Sequence, residues 1–109
     1  MDNLQIPKTI ASFIDVVNAH DEQGFLDAFT SEGVVDDWGR EFAGREAIKA
    51  WSDKEFIGAT GTITPEEVTE DGDRVTVIGD WRSTHANGRS SFAFDLDGDR
   101  IAKMTIREG

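Results

Sequence analysis

Val34-Val35-Asp36-Asp37-Trp38-Gly39-Arg40-Glu41-Phe42-Ala43-Gly44-Arg45-Glu46-Ala47-Ile48 combines an apolar strand carrying acidic residues, a glycine turn and the start of a helix. Val34 to Trp38 and Glu41 to Ala43 read as a short hairpin turning at Gly39-Arg40. A helix is expected from about Arg45 to Phe56, with Ala47, Ile48 and Trp51 on its buried side. Strand side chains alternate between faces, so Val34, Asp36 and Trp38 share one face and Val35 and Asp37 the other. With Val34 and Trp38 turned into a covered hollow, Asp36 points there too, unless a bulge inverts the strand. A carboxylate in such a place is either satisfied by hydrogen bonds or used for chemistry, because burying it bare is costly.

Upstream of this stretch the period is helical. Ile6, Ile10, Phe13, Ile14 and Val17 form one apolar stripe, with Pro7 suited to the first turn and an end expected near Ala19-His20. Asp21 reads as the N-cap of a second, short helix that carries Phe25, Leu26 and Phe29 and is broken by Ser31-Glu32-Gly33.

Downstream, Gly58 and Gly61 release the chain from the third helix, and from Thr62 the pattern is strands and tight turns. Glu70-Asp71-Gly72-Asp73 is a turn, Arg74 to His85 a long strand, Asn87-Gly88 a two-residue hairpin, and Ser90 to Leu96 the return strand. Asp97-Gly98-Asp99 turns into a last strand from Ile101 to Arg107. The acidic turns lack the spacing and the terminal bidentate glutamate of a calcium loop. The order predicts a single α+β domain over residues 1–109, with helices on one side of a curved, mainly antiparallel sheet.

A hairpin at Asn87-Gly88 sets His85 opposite Ser90, Ser83 opposite Phe92 and Trp81 opposite Phe94. That face carries the aromatic residues and is expected to meet the helices, together with Ala102, Met104 and Ile106. Asp80, Arg82, Thr84, Ala93 and Asp95 fall on the other face, a solvated or dimeric surface, as do Lys103, Thr105 and Arg107. Phe13, Val17, Val34, Trp38, Trp51, Trp81, Ser90, Phe92, Phe94, Met104 and Ile106 are therefore the expected lining of an apolar hollow. Taken singly, each tryptophan is equally a core residue.

The bulk composition narrows the partners. The 109 residues suffice for one core, and 22 acidic against 11 basic side chains give a formal charge of −11. Such a chain is repelled by nucleic acid and by anionic membrane surfaces. It contains no cysteine, which excludes disulfides and thiolate chemistry, and its two histidines are too few to suggest a metal site. No cofactor is expected. No apolar run is long enough to span a bilayer, and Met1-Asp2-Asn3-Leu4 shows no signal-peptide pattern, so a cytoplasmic protein is expected.

Phe13 to Ala19, Asp21, the Asp36-x-x-Gly39 turn, Gly44-x-x-Ala47-Ile48 and Phe94-x-x-x-Gly98 together resemble the nuclear transport factor 2-like superfamily, and within it small SnoaL-like bacterial proteins. The resemblance implies a cone-shaped α+β barrel with an open-mouthed pocket, and a homodimer. It also places Asp36 where ketosteroid isomerases of the superfamily keep their general-base aspartate. The tyrosine and the protonated aspartate that serve those enzymes as donors match Phe13 and Ser90 here, and the chain has no tyrosine. Losing one such donor removes roughly 3–4 kcal/mol of transition-state stabilisation. Steroid isomerisation by that mechanism is therefore not expected.

The candidate chemistry is then a small apolar or aromatic molecule bound in the hollow, with cofactor-free acid–base work centred on Asp36 and His85 as partner. The alternative is a non-catalytic ligand-binding or dimeric interaction module. Asp36 has a structural alternative as an acceptor at the hairpin, and His85 one as an exposed residue beside a turn. His20 reads as a residue complementing the end of the first helix. Arg40, Arg45 and Arg89 read as surface cations.

Overall fold

The computed structural model describes residues 5–109; the reading of Met1–Leu4 lies outside them. Three helices come first, α1 (Lys8–Asn18), α2 (Glu22–Asp27) and, after a hairpin, α3 (Arg45–Glu55). The hairpin is β1 (Phe29–Asp37) and β2 (Arg40–Ala43). Then follow β3 (Thr62–Asp71), β4 (Arg74–Arg82), β5 (Gly88–Asp97) and β6 (Arg100–Glu108). All six strands form one sheet in the order β2-β1-β6-β5-β4-β3. Every pairing is antiparallel except β1 with β6. The helices pack on one face of this curved sheet, as the sequence predicts, and the sheet stays open rather than closing into a barrel.

The core follows from side-chain periodicity. Ile10, Phe13, Ile14 and Val17 bury the inner stripe of α1. Along β4, Val75, Val77, Gly79 and Trp81 alternate inward with half-buried or exposed neighbours. Phe13 meets Phe25, Phe29 and Phe94 at ring separations of 5.7, 5.9 and 5.3 Å, welding both first helices to the sheet. Asp21 caps α2 through Gly24 N–H at 3.1 Å, as expected. His20 takes the left-handed position after α1, with φ of 57°, and its Nε2 lies 3.2 Å from the Gly61 carbonyl. Asn18 clamps Ile63 with one bond to its carbonyl (2.9 Å) and one from its N–H (2.8 Å). That clamp satisfies part of the edge strand β3.

Four expectations are corrected. Phe29 begins β1 rather than ending α2, and the exposed Ser31-Glu32 lie within a long, irregular strand. The first hairpin turns at Trp38-Gly39, since Asp37 pairs with Arg40. Both turn residues have positive φ, 56° and 93°, which matches the right-handed twist of the flanking strands. The β4–β5 connection is the longer loop 83–87, not a two-residue turn at Asn87-Gly88, and Trp81 pairs with Gly88. Local bonds favour this loop: Asn87 Oδ1 accepts from Ser83 N–H at 3.0 Å, and Ser83 Oγ accepts from His85 and Ala86 N–H at 3.1 and 2.9 Å. The register slips by an even number of residues, so Trp81, Phe92 and Phe94 keep the inner face. Lastly, an irregularity between Asp95 and Leu96 sets Ile101 rather than Ala102 on the inner face.

Candidate functional site

A cleft of about 520 Å³ opens between the end of α3, the 38–40 turn, the 83–87 loop and the inner face of β5 and β6. Its walls are aromatic. Phe42, Trp51, Phe56 and Trp81 form a continuous stack, with centroid separations of 5.9, 4.9 and 4.6 Å and interplanar angles of 25°, 25° and 9°, and the last three of them line the cleft. Phe92 tilts against Trp81 at 6.1 Å, and Ile106 completes the apolar lining. All three tryptophans of the chain face the cleft, Trp38 from its mouth, where it is 58% exposed.

Of the two adjacent aspartates, the one that reaches the cleft is Asp37. In β1, Val35 lies opposite Met104 and Asp37 opposite Ile106, both on the inner face. Asp36 lies opposite Thr105 and turns to the outer face, which inverts the expected placement. There Asp36 Oδ1 accepts from Gly39 N–H at 2.8 Å and from Arg107 Nη1 at 2.9 Å, and Oδ2 accepts from Arg107 Nη2 at 3.2 Å. The Arg107 guanidinium foremost, with Gly39 N–H, holds the Asp36 carboxyl below the usual aspartate range. Both carboxylate oxygens of Asp36 are thus engaged on the outer face, at the hairpin.

Asp37 is 8% exposed and belongs to a chain of polar contacts along the cleft. Its Oδ2 accepts from the Trp51 indole N–H at 3.1 Å and from Arg40 Nη2. Arg40 also donates to both oxygens of Glu55, at 2.6 and 3.1 Å. Glu55 Oε1 lies 3.2 Å from His85 Nε2. Arg40 draws the Glu55 carboxyl below its ordinary value, chiefly by hydrogen bonding, and is itself held more firmly protonated. Asp37 Oδ1 accepts no hydrogen bond from any described residue.

The other expected residues divide cleanly. Trp51, Trp81, Ser90, Phe92, Ile106, Trp38 and His85 line the cleft. Phe13, Val17, Phe94 and Met104 are buried core and do not reach it, and Val34 is half buried on the outer face. Ser90 Oγ makes a single long contact, 3.4 Å to the Gly88 carbonyl. Asp36 and His85 are not brought together. Asp37, Arg40 and Glu55 are functional candidates that sequence reasoning missed. The available signal was the opposite charge of Asp37 and Arg40 flanking a two-residue turn. Arg45, read as surface, is half buried and donates to the Phe29 carbonyl at 2.5 Å. Among the described residues no three His, Asp or Glu side chains gather where they could hold a metal, and no helix is long and apolar enough to cross a membrane.

Comparison with known proteins agrees with the fold. A candidate polyketide cyclase from Sinorhizobium meliloti superposes with a TM-score of 0.85 at 24% identity, covering 94% of this chain and 95% of the other. A Mycobacterium tuberculosis protein solved in complex with estradiol-17β-hemisuccinate gives 0.80 at 22% identity, over 93% and 91%. A computationally designed 17-OHP binder gives 0.81 at 18% identity, over 93% and 88%. No curated protein matches. The fold is that of the nuclear transport factor 2-like superfamily. With residues 10–109 matching the SnoaL-like domain, nearly the whole described chain is accounted for by one family, and the chain belongs to it.

Proposed function

We propose that the cleft binds a small, largely apolar molecule that presents a hydrogen-bond donor to Asp37. The observation that carries this reading is the free Oδ1 of a buried aspartate facing an aromatic-walled cleft. The volume, about 520 Å³, lies within the range of small-molecule sites. Trp51 and Arg40 both donate to Asp37 Oδ2, so the carboxylate is fixed before any ligand arrives and Oδ1 is left without a protein partner among the described residues. The steroid ligands named for the Mycobacterium tuberculosis protein and the designed binder support this class of occupant.

The second reading is cofactor-free acid–base chemistry in the same cleft. What favours it is the chain Asp37–Arg40–Glu55–His85, which ends on an imidazole, a group that can both donate and accept a proton. In that reading Asp37 takes the base role expected of Asp36. On the sequence argument the protein is also assigned to the cytoplasm, and to a homodimer through the outer sheet face.

The test uses the tryptophans. Since all three line the cleft, their fluorescence reports occupancy directly. Titration with steroids, polyketide-like phenols and terpenes is expected to give saturable changes for at least one class, abolished by Asp37→Ala. No saturable change with any class refutes the binding reading. Product formation with the bound class, lost in Asp37→Asn, establishes the second reading.

A further inference from the structure

The charges around the cleft are not balanced in their availability. Asp37, Glu55 and Glu108 line it, as do Arg40 and Arg89. Both guanidiniums are already shared between two carboxylates. Arg40 holds Asp37 and Glu55. Arg89 holds Glu66 at 3.0 Å and Glu67 at 2.5 Å. The Trp51 indole N–H is spent on Asp37. Among the charged groups, what remains open is carboxylate: Asp37 Oδ1 and Glu108, which pairs with no described cation; the other polar groups left at the cleft, the Trp38 indole N–H, the Asn87 amide and the Ser90 hydroxyl, are neutral.

An anionic ligand entering this cleft meets no uncommitted cation and adds one more negative charge. A ligand ammonium meets the reverse. It carries donors only, it finds on the nine-tenths-buried Asp37 a carboxylate oxygen that accepts from no described residue, and the surrounding rings add attraction for a cation. The chain's formal charge of −11 raises the local concentration of cations and lowers that of anions.

We propose that the cleft selects a protonated amine carried on an aromatic or alicyclic frame, seated on Asp37 Oδ1, and rejects the carboxylic acid of the same frame. This rests on the binding reading above and names the substrate class within it.

Calorimetric titration with 1-naphthylmethylamine, 1-naphthalenemethanol and 1-naphthoic acid, near neutral pH and at low salt, tests it. The frame is constant and only the polar group changes. The amine is expected to bind about tenfold or more tightly than the alcohol, with the acid weakest. Asp37→Asn is expected to bring amine and alcohol level, and Asp36→Asn to leave the order intact. Should Asp37→Asn fail to fold, rising salt in wild type replaces it: the amine must lose its advantage over the alcohol. An acid that binds as well as the amine overturns the selection while leaving the binding reading in place. Three equal affinities do the same. Absence of binding by all three overturns the selection as well, and the binding reading falls with it only when the steroid, phenol and terpene titrations are also blank.

Discussion

Asp36 and Asp37 are adjacent in the chain, yet their carboxylates serve opposite faces of one sheet. Asp36 is bound bidentately by Arg107 outside, and Asp37 is held by Trp51 and Arg40 within the cleft. The two substitutions to asparagine should therefore separate. Asp36→Asn is expected to lower stability and leave ligand binding intact. Asp37→Asn is expected to weaken binding by about tenfold or more, the cost of losing a hydrogen bond to a charged acceptor. Denaturant midpoints and ligand titrations on the same preparations check both.

How much of this the sequence showed depends on the residue. The order of helices and strands was legible because α1 and β4 carry clean periods of 3.6 and 2. The inner face of β4 and β5 was legible too, since an even slip in register preserves sidedness. The face of β1 was not. Val34 and Val35 are identical in chemistry, so Trp38 decided the choice, and Trp38 lies in the turn rather than the strand. Three residues of slack between Phe29 and Val34, relative to Ile101 and Lys103, set the actual phase, and local sequence does not encode such a bulge. Arg40 and Glu55 were illegible as a pair because fifteen positions separate them and only the packing of α3 against the hairpin joins them.

Arg40 is the hub of the cleft's polar chain. Replacing it with methionine leaves Asp37 and Glu55 facing one another without their shared cation. Since Arg40 is half exposed, the cost should be about 1–2 kcal/mol, below that of a fully buried pair. Urea unfolding of Arg40→Met checks this, and a loss under about 0.5 kcal/mol contradicts the hub assignment.

Acid should act through Glu55 and Asp36. Both carboxyls are depressed in the folded state, by Arg40 and Arg107 respectively. A depressed carboxyl stabilises above its unfolded pKa, and that contribution is lost as pH falls through the folded one. Stability should therefore hold near neutral pH and decline below about pH 4. Glu55→Gln is expected to be less stable than wild type near neutrality and to converge on it in acid. A constant gap between them across that range contradicts the assignment.

Gly61 supports the cleft from behind. A Cβ there would stand 1.9 Å from Trp81 Cη2, so Gly61→Ala must displace the indole from its stack on Phe56. The expected cost is about 1–3 kcal/mol of stability. Tryptophan emission and ligand affinity should change together, because Trp81 forms a wall of the site.

Restoring a tyrosine at position 13 should not restore isomerase donors. Phe13 is 1% exposed, packed among Phe25, Phe29 and Phe94, and does not line the cleft. Phe13→Tyr buries a hydroxyl without a partner at a cost of about 1–3 kcal/mol. Thermal unfolding checks the loss, and steroid isomerase activity in Phe13→Tyr combined with Ser90→Asp would contradict this account.

The central claim is that Asp37, and not its neighbour, is the carboxylate of a ligand-binding cleft. Its most direct test is the fluorescence titration of wild type, Asp36→Asn and Asp37→Asn with one ligand that saturates the wild type. The account predicts an unchanged curve for Asp36→Asn and a curve displaced to at least about tenfold higher ligand for Asp37→Asn. The opposite pattern, binding lost with Asp36 and kept without Asp37, would contradict it.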